Sequence, residues 1–238
     1  LAGGQVSALR NAQVRAVETG DLIVLNSAQI GGLSSGQLNA LLSTQVKALT
    51  NNQIKLVSAG QLGSLSSLQL TMVESSQLNA LTSGQVAGLG VAQVKGLTTD
   101  QVSSLSAQTL NALGGAQLTA LLTSQVVALT TDQVSSVGTL QVAAFLTSQV
   151  ASLTTDQVVA IELSDLKALK AEQISSFATD RIEALTSQQV AALAGGQVSA
   201  LKNAQVQAVE TGDLIALNSA QIGGLSSGQL NALLSTQV

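Results

Sequence analysis

The side chains best suited to chemistry gather between Glu162 and Glu183. There Glu162, Asp165, Lys167, Lys170, Glu172, Asp180, Arg181 and Glu183 place eight charges within 22 positions of an otherwise sparsely charged chain. Neighbouring carboxylates can share acid–base work, and interleaved charges of both signs can meet a partner's surface. Alternating signs suit a solvated face first and a lateral contact patch between filaments second. Asp100, Asp132 and Asp156 recur in the phrase TTDQ and raise the idea of a calcium ladder. Each of these carboxylates stands alone, whereas a calcium loop gathers several oxygen ligands, so a charge in the first turn of a helix is the better reading. The chain holds no His, Cys, Trp, Tyr or Pro. That removes imidazole and thiolate metal sites, the usual nucleophile–base pairs, and aromatic platforms for stacking on bases. No catalytic residue, metal site or cofactor is expected, and the chain does not read as an enzyme.

The rest of the composition narrows the class further. Of 238 residues, 45% are hydrophobic and only 9% charged, and the net charge is −4. The mild acidity argues against nucleic acid, which is held through clustered Lys and Arg. Gln, Ser, Thr or Asn interrupts every apolar stretch before it reaches about 18 residues, so no transmembrane helix is expected.

What positions these residues is a repeat. Gln5, Gln13, Gln29, Gln37, Gln45 and Gln53 are spaced in multiples of eight, and the register runs unbroken to Gln237. Asp21, Thr109, Asp165, Arg181 and Asp213 are the exceptions in that column. With the glutamine as position 1, position 2 is Val, Leu or Ile, and position 5 is apolar throughout, including Phe145 and Phe177. Position 4 is small except at Val24, Leu56 and Met72, and position 7 is mostly Ser, Thr, Asn or Gly. The unit is Q-V-x-A-L-x-S/T-x. A longer period lies above it: residues 1–46 recur as 193–238, changed only at Arg10/Lys202, Arg15/Gln207 and Val24/Ala216. The chain therefore reads as one continuous octad array over 1–238. A 24-octad block spans 1–192 and begins again at 193, as a segment of a longer polymer. The expected continuation resembles KALTNNQIKLVS, the stretch that follows Val46.

A single long helix does not fit, because its apolar stripe would rotate about 80° per octad. The spacing predicts an all-α solenoid of very short helices, one per octad. In LTTDQV, Thr98 serves as N-cap with Gln101 at N3, while Leu97 and Val102 occupy the two staple positions around them. Helices of about six residues cannot stand alone in water, so stacking on neighbours must hold them. A small residue at position 4 would let adjacent backbones approach closely. The Gln column would act as a local cap with some bonding between units. Asp21, Asp165 and Asp213 would accept from backbone donors, and Arg181 would point outward or pair with Asp180 or Glu183. The rival is a β-solenoid with stacked strands and Gln ladders, favoured by the many Val and Thr residues. Against it, positions 2 and 5 are three apart and would face opposite sides of a strand.

LTTDQVVAI, residues 153–161, resembles the opening helix of a TAL-effector repeat over nine residues. That family's repeat length, base-reading pair and basic inner surface are missing, so the likeness extends to the grammar of a helix start. Over its whole length, through Q-V-x-A-L and L-T-T-D-Q-V, the chain resembles LTxxQV-type octapeptide arrays of large secreted or surface-attached bacterial proteins. The resemblance implies an extracellular or cell-surface location and a structural or adhesive role. Self-association, end to end or lateral, is the expected partnership, with attachment to a cell surface or matrix. The alternative is a solenoid scaffold that binds a peptide, glycan or surface.

Overall fold

A computed structural model of the chain describes residues 3–237. Among the described residues there are 29 helices of four to six residues, one in every octad, and no strand. The short-helix solenoid therefore holds, and the β-solenoid does not. The helices fall into two compact units, Leu1–Leu121 and Leu122–Val238.

Each helix begins at position 7, and from Asn11–Arg15 onward an extended residue at position 6 is its N-cap. Thr98 caps the helix Thr99–Ser103 as the LTTDQV phrase demands: its hydroxyl accepts from the Gln101 N–H at 3.1 Å. Reciprocally, the Gln101 Oε1 accepts from the Thr98 N–H at 2.9 Å. Leu97 and Val102, on either side of this box, are both buried. The helix stops because positions 5 and 6 are extended. Leu41 has φ −56° and ψ 141°, Leu42 has φ −68° and ψ 153°, and the next helix, Ser43–Ala48, starts at once. Two extended residues turn the chain without a left-handed residue, and no described residue has a positive φ. The glycines near the octad junctions are thus not there for backbone freedom.

At Gly88 and Gly96, both at position 4, the glycine is there for space. A Cβ on Gly88 would lie 2.6 Å from the Ala59 Cβ, and one on Gly96 would lie 2.9 Å from the Ser67 Cβ. In both cases position 4 meets position 7 of the chain 29 residues earlier. The same crossing carries a hydrogen bond where position 4 is serine, from the Ser64 hydroxyl to the Ser35 carbonyl at 2.9 Å. The small-residue rule is therefore a rule about backbone approach. The larger Val24, Leu56 and Met72 keep their side chains exposed.

Within the first unit, helix Ser35–Ala40 packs on Asn11–Arg15 before it and on Ala59–Leu62 after it. Within the second, Ser187–Ala192 packs on Leu163–Ala168 and on Thr211–Leu214. Both arrangements place the contacting helices three octads apart. Positions 2 and 5 line the interior of each unit, where Phe145 and Phe177 are buried like the leucines around them. Each such side chain contributes about 1.5–3 kcal/mol by leaving water, which offsets the instability of a helix this short.

Candidate functional site

The column that repeats most faithfully is also the most heavily used in the structure. Gln37 is buried, and its amide reaches back almost one turn of the solenoid. Its Nε2 donates to the Val6 carbonyl at 2.9 Å and to the Leu9 carbonyl at 2.8 Å. Its Oε1 meanwhile accepts from the Ser34 N–H at 2.7 Å. One side chain thus opens its own helix and closes the helix four octads earlier: it partners the Leu9 carbonyl and gives the Val6 carbonyl, which already accepts from the Leu9 N–H at 3.1 Å, a second donor. In the first unit Gln93 does the same to Leu62 at 2.8 Å and Leu65 at 2.7 Å. In the second, Gln197 bonds Leu166 at 2.8 Å and Leu169 at 2.7 Å. The acceptors lie 31 and 28 residues back each time, so one solenoid turn takes between three and four octads. The local cap expected of the glutamines is one of three bonds; the other two join successive turns.

The exceptions in the column adapt to the same seam. Asp165 and Asp213 are 5% and 6% exposed. Asp165 accepts from the Thr139 hydroxyl at 2.8 Å, and Asp213 accepts from the Ser187 hydroxyl. Both donors sit at position 7, 26 residues earlier. At both positions the donor to the carboxylate is thus a side-chain hydroxyl, where the sequence pointed to backbone N–H groups. A carboxylate has no proton to give to the carbonyls that glutamine serves, so it takes a neighbouring donor instead. Arg181 pairs with Asp180, as expected. It is also turned partly inward: its Nε donates to the Leu153 carbonyl at 3.0 Å, 28 residues back, where a glutamine Nε2 would. The Arg181 guanidinium, through its hydrogen bond and charge, holds the Asp180 carboxyl below the usual carboxylate range. The signal that would have found the hydroxyl–aspartate pairs is the common offset of 26. It becomes visible only once the turn length is known.

The charge cluster divides accordingly. Glu162, Lys167, Lys170, Glu172, Asp180 and Glu183 are exposed, Arg181 is half-buried, and Asp165 lies inside the seam, away from any surface patch. Asp100, Asp132 and Asp156 stand exposed in the first turns of their helices, where a carboxylate suits the helix dipole. Among the described residues no three acidic side chains converge, and no helix is long and apolar enough to cross a membrane.

An octad that caps itself, stacks on its third neighbour and bonds its fourth defines a class: repeat solenoids built from very short helices. The chain matches the ALTTAQ repeat over residues 14–51, 72–107, 158–194 and 206–238, more than half of its length, and it belongs to that family. Comparison with curated proteins returns no match.

Proposed function

We propose that this protein is a structural array, a length of extracellular filament or surface stalk whose function is the stacking itself. The observation that carries the reading is the glutamine seam. The most faithfully repeated polar group of the octad is spent on bonding one turn to the next, as Gln37 is on Val6 and Leu9. Every octad repeats the same apolar pair and the same seam, so the array grows by simple addition. The outer surface it presents is mostly small or uncharged residues such as Ser, Thr, Asn, Ala and Gly, with few charges to attract unrelated partners. The resemblance to arrays of large secreted bacterial proteins supports a location outside the cell.

Electron microscopy of the purified protein tests this directly. Rods or filaments of uniform width are expected, and a compact globular particle under all conditions would overturn it. A second reading, an adhesive scaffold, rests on the exposed charges of Glu162, Lys167, Lys170, Glu172, Asp180 and Glu183, which give one stretch of the second unit a distinct surface.

A further inference from the structure

The octad fills its core from positions 2 and 5, so a leucine at position 6 serves no purpose inside the repeat. That position is the N-cap, for which leucine is among the poorest choices. Leu42, Leu122 and Leu146 nevertheless stand there, make no side-chain capping bond and are 42%, 43% and 47% exposed. They neither cap a helix nor enter the core. In the first unit the helices Ser43–Ala48, Ser67–Thr71 and Val91–Lys95 pack in succession. Leu42 precedes the first of them, and Leu68, Met72 and Val91 stand exposed on or beside the other two. In the second unit Thr123–Val127 packs on Thr147–Ala151, with Leu122, Val127 and Leu146 exposed along the pair. Single apolar side chains on a surface are ordinary, whereas runs of them along stacked helices mark a docking face.

The charges beside the two faces are opposite. Lys47 and Lys95 lie exposed in the last turns of the outer two helices of the first stack, and Lys47 also meets Glu74 at 3.6 Å. Asp132 and Asp156 lie exposed on the helices that directly follow the two members of the second stack. Residues 122–163 contain three acidic side chains and no basic one. We infer that a second copy of this chain covers the Leu42–Val91 face of the first with its own Leu122–Leu146 face. Pairing the first face with itself would set lysine against lysine, which this heterologous pairing avoids. The inference rests on the array reading and names the lateral contact that gathers arrays into bundles.

Sedimentation velocity on the full 238-residue chain over a concentration series tests it, with circular dichroism to verify folding. The variants L42T/L68S and L122T/L146T each clear one face, using residues that the octad already carries at those positions in Thr50 and Ser76. Threonine at position 6 supplies the missing cap, so both variants should melt no lower than wild type. Each should nevertheless associate at least about tenfold more weakly. An equimolar mixture of the two should form a 1:1 pair, because one intact face of each kind remains. Sodium chloride should weaken wild-type association by screening the lysine–carboxylate attraction. Wild-type protein that stays monomeric at every concentration would overturn the inference, as would association unchanged in either variant, strengthened by the salt or absent from the mixture. In electron micrographs, rods that never bundle would overturn it while the array reading stands, whereas the absence of rods would overturn that reading itself.

Discussion

At the residue scale the octad's glutamine is an adaptor that no other side chain fully replaces. It needs an acceptor for its own N-cap and donors for two carbonyls of the previous turn, and the primary amide supplies both. Leucine in its place would fill the volume and orphan two backbone groups, the N-cap N–H and the position-5 carbonyl of the previous turn. Gln93→Leu strands the Gly90 N–H and the Leu65 carbonyl and leaves the Leu62 carbonyl with the Leu65 N–H alone. It should cost about 1–3 kcal/mol in urea unfolding. Gln93→Glu is the sharper test, because it keeps the acceptor and turns a carboxylate on two carbonyl oxygens. Burial and those oxygens raise the folded-state pKa of the new Glu above its unfolded value of about 4.3. The variant should therefore be closest to wild type below that pH. It should lose stability as pH rises through the raised folded pKa. A variant whose urea midpoint is no lower at neutral than at acidic pH, relative to wild type, would contradict the bond pattern. Arg181 shows how far the rule bends: it retains the donor to Leu153 and recruits Asp180 for its remaining charge.

At the scale of the element, much was legible before any coordinates. The LTTDQV phrase contains its own N-cap, its N3 glutamine and its two staple residues. Positions 2 and 5, three apart, share a face only on a helix. Smallness at position 4 pointed to close backbone approach, and Gly88 against Ala59 supplies the geometry. The turn length was not legible, nor were the partners that depend on it. These follow from the bend that two extended residues impose at each junction, and its size separates three octads per turn from four. The Thr139–Asp165 pair is invisible until that bend is known. The crossing at position 4 makes a clean prediction. Gly88→Ala should destabilise by about 1–3 kcal/mol through overpacking. Adding Ala59→Gly should restore most of that loss, although a glycine in a helix costs about 0.5–1 kcal/mol by itself. Additive effects in the double-mutant cycle would mean that the two positions do not meet.

At the scale of the whole molecule, the consequence of a seam built on fixed offsets is that length can change only in whole octads. Helix contacts, glutamine bonds and hydroxyl–aspartate pairs connect octad positions, not particular octads. Removing eight residues therefore reconnects every column to an equivalent partner. The sequence carries the mark of this rule, since residues 1–46 return at 193–238 after 24 complete octads. Deleting residues 75–82 should leave the helical signal per residue unchanged and lower the melting temperature by only a few degrees, about what 1–2 kcal/mol produces in a chain this long. Deleting 75–81 removes one residue fewer yet should do more harm. Around the junction it sets Gln85, Gln93 and Gln101 against the wrong carbonyls and carries exposed side chains into the buried columns. That variant should lose helical signal and cooperativity over the octads that span the cut. Circular dichroism melts of the two deletions decide the point: equal damage from both would mean that the octad is a habit of the sequence, and unequal damage that it is the unit of construction.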